Sequence, residues 1–186
     1  MSNIPIRPRG IRFAPQRIRL ASATMKELPP MTTINVADPD VLPESMVRVA
    51  PSASIDPSAQ IGGGTAVWHL SQVREHAVIG ESSILGRNVY VGPGVVIGDR
   101  CKIQNEALVY EPAVLEDGVF LGPAVVLTND EYPRAVNPDG TLKSADDWTP
   151  VGVTVRRGAS VGARAVCIAP VEIGEWSLVA AGSVVA

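Results

Sequence analysis

Read in groups of six, residues 67–102 are VWHLSQ, VREHAV, IGESSI, LGRNVY, VGPGVV and IGDRCK. Every group opens with Val, Ile or Leu, and the same aliphatic start recurs at each sixth residue from Val49 to Leu127. The fifth residue of each group is small or β-branched, as at Ala77 and Ser83. A period of six fits neither the 3.6-residue period of a helix nor the two-residue period of a plain strand. It predicts a short strand and a turn, repeated along the chain.

Three such units close one triangular coil, so that residues three units apart stack about 4.8 Å from one another, the spacing of paired strands. Columns of aliphatic side chains then fill the interior, for example Val67, Leu85, Ile103 and Leu121. Small residues suit the corners, and we attribute the frequent glycine after the aliphatic position to relief of turn strain. The predicted fold class is therefore all-β, a parallel β-helix of hexapeptide repeats.

The composition agrees with a single β domain. The chain has 186 residues, of which 46% are hydrophobic and only 4% aromatic, so Val, Ile, Leu and Ala supply the core. Cys101 and Cys167 fall at inward positions, which favours core thiols over a disulfide or a metal site. The formal net charge is −3. Neither a basic patch on the repeat nor a membrane-length apolar stretch is present, so we expect no nucleic-acid partner, no membrane span and a cytoplasmic location.

Two segments depart from the repeat. Residues 1–46 form a basic, proline-rich leader and linker, which reads as a flexible tail; a targeting peptide or a start at Met25 or Met31 remain alternatives. The second segment is the loop 129–150 (NDEYPRAVNPDGTLKSADDWTP), which interrupts the β-helix domain of residues 47–186 before the period resumes at Val155. A loop this long within a compact repeat is typical of functional segments.

The β-helix surface and the projecting loop of one chain can form only one side of a binding groove. A second copy would have to supply the other side, so symmetric association is expected. Trp68 lies beside an inward position and is predicted to be exposed. It is a candidate interface residue, and packing against the loop or the leader is an equal alternative.

Several stretches resemble the hexapeptide-repeat acyltransferases, and more narrowly the sugar-nucleotide N-acetyltransferases that acetylate a 3-amino group. The resemblance covers about residues 49–186 and is most specific from Lys102 to Asn129. Its stretches are VWHLSQV (67–73), GRNVYVG (86–92), IGDRCKIQN (97–105), VYEPAVLEDGVFLGP (109–123), LTND (127–130), YPR (132–134) and RRGASVGARA (156–165).

The resemblance implies a left-handed coil with one long ejected loop, a homotrimer with active sites between subunits, and acetyl-CoA as the donor. It implies acetylation of the amino group of a nucleotide-linked amino sugar, with no metal. In such relatives the chain continues beyond the position of Ala186 into a segment that closes the helix and completes the cofactor site.

Acyl transfer to an amine requires a positioned nucleophile, a route for its proton and a donor for the oxyanion. Asn129 stands where the repeat breaks and matches the family pattern, so it is the first candidate to orient the amine or the thioester. His69 is the second catalytic candidate, as a base on a polar surface. Their alternatives are a turn-forming asparagine and an interface hydrogen bond.

Four residues are candidates for binding the acceptor. Glu116 lies in the matching LED segment, Asn105 shares the polar column of His69, and Asp130 follows Asn129. Arg134, with Arg87 and Lys102, would meet a diphosphate or carboxylate through charge-assisted hydrogen bonds. Solvated carboxylates and surface salt bridges are the alternatives for these charged residues.

The cofactor candidates lie in the resumed coils, where small side chains leave the backbone accessible to a pantetheine arm. They are Gly162, Ala163, Arg164 and Ala181, with Arg164 as a cation for phosphate. The same small residues are also required by the coil itself.

Other functions remain open. They are O-acetyl transfer, a γ-class carbonic anhydrase-like activity and a non-catalytic β-helix scaffold. The zinc chemistry of the second needs three histidines, whereas the chain has only His69 and His76, so a neighbouring subunit would have to contribute.

Overall fold

A computed structural model of the protein describes residues 46–186, and the predicted leader of residues 1–46 lies outside that range apart from Met46. The described chain is a left-handed parallel β-helix of about eight turns. The repeat predicts the parallel coil, and the left hand agrees with what the family resemblance implies. Its strands form three parallel sheets. Within the described residues no helix is long and apolar enough to cross a bilayer.

Each coil contributes one short strand to each sheet. The first sheet contains β1 (Arg48–Val49), β4 (Ala66–Val67), β7 (Ile84–Leu85), β10 (Lys102–Ile103), β13 (Phe120–Leu121), β16 (Ser160–Val161) and β19 (Leu178–Val179). The second contains β2 (Ser54–Ile55), β5 (Gln72–Val73), β8 (Tyr90–Val91), β11 (Leu108–Val109), β14 (Val126–Leu127), β17 (Val166–Cys167) and β20 (Val184–Val185). The third contains β3 (Gln60–Ile61), β6 (Val78–Ile79), β9 (Val96–Ile97), β12 (Val114–Leu115), β15 (Val153–Val155) and β18 (Val171–Ile173).

The core is the set of stacked columns that the period predicts. Val67 pairs with Leu85, Leu85 with Ile103, and Ile103 with Leu121. All four side chains are at most 1% exposed. Cys101 and Cys167 are free and buried, so the prediction of core thiols is confirmed.

Three hydroxyls lie inside this apolar core and are satisfied by backbone. Thr65, Ser71 and Ser83 are at most 1% exposed. Their Oγ atoms donate to the carbonyl oxygens of Gly80, Gly86 and Gly98 in the next coil, at 2.8, 2.7 and 3.1 Å. A buried hydroxyl without a hydrogen bond would destabilise the fold, and these three bonds remove that cost. Because each bond runs to the next coil, it also links adjacent coils.

Turns at three corners join the sheets. The first corner joins the first sheet to the second, as at Trp68–Ser71; the second joins the second sheet to the third, as at Tyr110–Ala113; the third joins the third sheet to the first, as at Glu116–Val119. The third residue of many turns has positive φ, for example Leu70 at 62° and Gly118 at 69°.

The frequent glycine after the aliphatic position has a different cause from the one that the sequence suggests. Gly86 is not among the residues with positive φ. A Cβ atom there would lie 2.6 Å from Asn105 Oδ1 and 2.7 Å from Asn105 N. Glycine is required because the next coil approaches too closely for a side chain.

The loop leaves the coil at the second corner, after Leu127, and the coil resumes at Val153. Leu115 pairs with Val155, so the stack continues in the predicted new register. Within the loop are one antiparallel bridge, between Val136 and Leu142, and one short 3-10 helix, Ala145–Asp147. Val151 N donates to Asn129 O at 3.0 Å, which joins the two ends of the loop.

Candidate functional site

Asn129 is held at the foot of the loop by a carboxylate of the preceding coil. Its Nδ2 donates to Oε1 of Glu111 at 3.3 Å. The two residues stack because Val109 pairs with Leu127. With Nδ2 directed at Glu111, the Oδ1 atom of Asn129 is left to accept a hydrogen bond from another group.

Glu111 is the functional candidate that sequence reasoning missed. Its Oε2 atom is buried and has no hydrogen-bond partner among the described residues. A buried carboxylate oxygen without a partner is costly, and it is a typical feature of binding and catalytic sites. In the sequence, Glu111 could have been found only as the residue one coil before Asn129. That relation requires knowing which strands pair across the coils.

Aromatic side chains lie next to this pair. The Tyr90 and Tyr110 rings have centroids 5.1 Å apart. Burial raises the pKa of the Tyr90 hydroxyl, and the charge of Glu111 raises it further. Tyr90 is therefore partly dehydrated and lies within the electrostatic reach of Glu111.

The loop itself carries two open clefts that share three residues, Asp130, Lys143 and Trp148. Arg134 lines the first cleft, of about 390 Å³. Asp130 is partly committed, because its Oδ1 accepts from Tyr132 N at 2.8 Å. Asn129, Asp130 and Arg134 thus belong to one corner of the coil, together with Lys143 and Trp148. The predicted grouping of Arg134 with Arg87 and Lys102 is wrong, because Arg87 lies at the first corner and Lys102 on β10.

His69 and Asn105 lie at the first corner, where both line a cavity of about 350 Å³ together with Trp68 and Arg87. Trp68 is 44% exposed and lies at a different corner from the one where the loop emerges. The interface role of Trp68 stays a prediction.

One ring nitrogen of His69 is already engaged. Its Nδ1 lies 2.9 Å from the Ser52 hydroxyl oxygen, which also accepts from Leu70 N at 3.2 Å. Only Nε2 is left to face a ligand. A serine hydroxyl can act as donor or acceptor, so Ser52 fixes the ring orientation whichever nitrogen carries the proton.

The four cofactor candidates continue the first corner into the later coils. They form a strip of small residues along this corner. Glycine is required at residues 122 and 162 because the next coil is too close for a side chain: a Cβ on Gly122 would lie 2.6 Å from Ala163 N, and a Cβ on Gly162 would meet Ala181 N. Arg164 N donates to Pro123 O at 2.8 Å, while its exposed guanidinium makes no ion pair with any described residue.

Glu116 lies at the third corner, apart from the other candidates. Its Oε1 accepts from Arg156 Nη1 at 2.9 Å and its Oε2 from Arg157 N at 2.8 Å. Arg156 also pairs with Glu172 at 2.6 Å, which ties three coils together. The hydrogen bond from Arg156 lowers the pKa of Glu116, with the backbone bond from Arg157 adding to it. Both carboxylate oxygens are occupied, and the predicted substrate contact remains untested.

The structure therefore divides the predicted residues among three corners of one chain. The loop residues meet at the second corner, His69, Asn105 and the small strip share the first, and Glu116 stands at the third. His69 and His76 lie on the same coil at successive corners. Residues 46–186 contain no cluster of three His, Cys, Asp or Glu side chains that could hold a metal ion.

Two models of repeat families match the chain. The model of bacterial transferase hexapeptide (six repeats) matches residues 76–111. The model of the hexapeptide repeat of succinyl-transferase matches residues 152–186. The matches therefore fall on both sides of the loop. No curated protein sequence matches the chain.

Solved structures with a similar coil include a mutant perosamine N-acetyltransferase from Caulobacter crescentus in complex with CoA and GDP-perosamine, at 20% identity and a TM-score of 0.44. That alignment covers 73% of this chain and 51% of the other, so the present chain spans about half of its length. A putative acetyltransferase from Bacillus cereus is 22% identical, with 77% and 67% covered and a TM-score of 0.48.

A hexapeptide transferase family protein from Anaplasma phagocytophilum is 16% identical, with 74% and 72% covered and a TM-score of 0.49. At these values the likenesses decide nothing about the reaction of the present chain. The repeat, the coil and the two family matches show that the chain carries hexapeptide repeats similar to those of bacterial transferases, over residues 76–111 and 152–186.

Proposed function

We propose that the protein is an acetyl-CoA-dependent N-acetyltransferase that acts on the amino group of a nucleotide-linked amino sugar. The observation that carries the proposal is the pair Asn129 and Glu111 at the break in the coil. The carboxamide is oriented by one carboxylate oxygen, and the second oxygen is buried without a described partner. Such a pair suits an amine, because Asn129 Oδ1 can accept from its N–H and the carboxylate lies behind it as a negative charge.

In the proposed reaction the amine nitrogen attacks the thioester carbonyl carbon directly. Asn129 Oδ1 accepts one N–H bond of the amine, and Glu111 Oε1 holds the carboxamide in the orientation that directs the nitrogen lone pair at the carbonyl. The C–N bond forms, the C–S bond breaks, and the proton lost by nitrogen goes to the departing thiolate of CoA. Positive charge develops on nitrogen in the transition state, so the contact with Asn129 Oδ1 strengthens there and the negative charge of Glu111 stabilises it further.

A covalent acyl-enzyme is not part of the proposal. The chain has two thiols, Cys101 and Cys167, and both are buried in the core. Burial raises the pKa of each, so neither is a reactive thiolate at neutral pH. Direct transfer between two bound substrates is the consistent alternative.

The donor and the acceptor are proposed to meet between copies of the chain. The small strip of Gly162, Ala163 and Ala181 suits the pantetheine arm, with Arg164 for a phosphate, but it lies at the first corner. Asn129 lies at the second. A homotrimer in which the second corner of one copy faces the first corner of the next would unite them.

The test is acetyl transfer by the full chain. The protein is incubated with acetyl-CoA and a panel of 3-amino and 4-amino sugar nucleotides, and free thiol is followed with a chromogenic reagent. Acetylated amine with stoichiometric thiol release is expected for at least one acceptor. Absence of both turnover and acetyl-CoA binding would refute the proposal, and turnover with hydroxyl acceptors alone would replace it with O-acetyl transfer.

A matched control is available within the same loop. Asn137 is engaged locally within the loop, with its Nδ2 donating to Thr141 Oγ1 at 3.2 Å. Asn137→Ala should keep full turnover, whereas Asn129→Ala should lose it. The comparison separates a contact with the acceptor from a general effect of truncating a loop asparagine.

A further inference from the structure

The cavity at the first corner arises from a missing side chain in one column. Trp68, Gly86 and Gln104 stack on successive coils, because the preceding strand residues pair in that order. Glycine is imposed at the middle position by the close approach of Asn105. A cavity, here called the gap, is lined by Trp68, Gly86 and Gln104 at this point of the corner.

The size of this gap fits a planar ring. Trp68 and Gln104 are two coils apart, which corresponds to roughly 9.6 Å between their backbones at the usual strand spacing. A ring stacked between two planar groups needs about 7 Å, twice the usual contact distance of about 3.5 Å between carbon atoms. Ile84 completes the apolar part of the lining, and the cavity holds about 350 Å³.

Polar groups without partners surround the gap. Within residues 46–186 the Arg87 guanidinium, the Gln104 carboxamide and the Trp68 indole N–H make no hydrogen bond or ion pair. Asn105 Oδ1 accepts from Arg87 N at 2.9 Å, so its Nδ2 remains as a donor. An aromatic platform, carboxamides and one unpaired guanidinium in a single cavity match the chemistry of a heterocyclic base attached to phosphate.

We propose that this cavity binds the nucleoside diphosphate end of the acceptor. The base stacks on Trp68 in the place of the absent Gly86 side chain, Gln104 and Asn105 hydrogen-bond its edge, and Arg87 meets a phosphate. Identifying this ligand as the acceptor substrate rests on the proposed function. The cavity and the chemistry of its lining do not depend on that function.

CoA also contains a base and phosphates, and it is the competing occupant. Two observations favour the acceptor here. The cavity offers one unpaired guanidinium, fewer than the three phosphate groups of CoA would engage. The other unpaired cation of this corner, Arg164, lies three coils further on beside the small strip, about 14 Å away at the usual spacing.

Isothermal titration calorimetry of the full chain tests the proposal, with UDP, dTDP, GDP and CoA as separate probes. At least one diphosphate is expected to bind, and Trp68→Leu should weaken it about 5- to 150-fold, the range for loss of one base–aromatic stack. Arg87→Gln should weaken binding of the same diphosphate, and the affinity of this variant should depend less on salt concentration than that of the parent. Trp176→Leu is the control, because Trp176 is 75% exposed at the third corner and should leave binding unchanged.

Three results would overturn the inference: no diphosphate binds, both cavity variants bind as the parent does, or CoA displaces the diphosphate and loses affinity in Trp68→Leu. The outcome is separable from that of the proposed function. Diphosphate binding that depends on Trp68, without acetyl transfer to any acceptor, supports the cavity and refutes the transferase. Transfer with an acceptor KM unchanged in Trp68→Leu refutes the cavity alone.

Discussion

Replacing Asn129 with alanine removes the one carboxamide that the structure orients at the break in the coil. Nδ2 of Asn129 is committed to Glu111 at 3.3 Å, which leaves Oδ1 as the atom available to a ligand. In the proposed reaction Oδ1 accepts from an amine that becomes cationic. A hydrogen bond to a charged group contributes about 1.5 to 3 kcal/mol. At about 1.36 kcal/mol per tenfold, its loss corresponds to a fall in kcat/KM of roughly 10- to 150-fold.

The assay is initial-rate thiol release with acetyl-CoA and the best acceptor of the panel. Because the contact strengthens in the transition state, kcat should fall more than KM changes. Glu111→Gln provides a second reading of the same site, since it keeps the shape and removes the charge. It should lower kcat as well, and combining it with Asn129→Ala should give less than the sum of the two effects, because the residues are in contact.

Retention of kcat/KM within about twofold in Asn129→Ala, together with loss of activity in His69→Ala, would refute this reasoning. It would place the chemistry at the first corner and leave Asn129 as a turn residue. The Asn137→Ala control must remain active for either conclusion to stand.

Three further predictions concern the scaffold. Ile103→Ala, in a fully buried column, should lower the free energy of unfolding by about 2 to 5 kcal/mol in urea denaturation; a smaller effect would contradict a close-packed coil. Gly86→Ala should cost about 1 to 3 kcal/mol because its Cβ would meet Asn105, whereas Gly174→Ala, which has open space, should not. The pKa of Glu116 is lowered from its ordinary value of 4.5, so its stabilising effect is present above that pH and is lost as pH falls through the folded-state pKa. Glu116→Gln should therefore flatten the acid limb of a Tm-against-pH curve, and an unchanged limb would contradict the ion pair.

The candidate site was only partly predictable. Asn129 could be found because the repeat stops there, and a break in a strict period is visible in the sequence. Glu111 could not, because its importance rests on a buried oxygen without a described partner and on a contact one coil away. The matching segment predicts a substrate contact for Glu116, but its carboxylate is bound by Arg156, which follows it in sequence only after the whole loop.

The sequence by itself determined the parallel coil, because a six-residue period places each sixth, aliphatic side chain inside a triangular coil. It also marked where the loop leaves. The tertiary structure decided which side chains meet. Contacts across coils join residues that are far apart in sequence, and the loop changes the register between them. The tertiary structure also explains why residue 86 is glycine: the neighbouring coil approaches too closely for a side chain, and the local backbone angle does not require glycine.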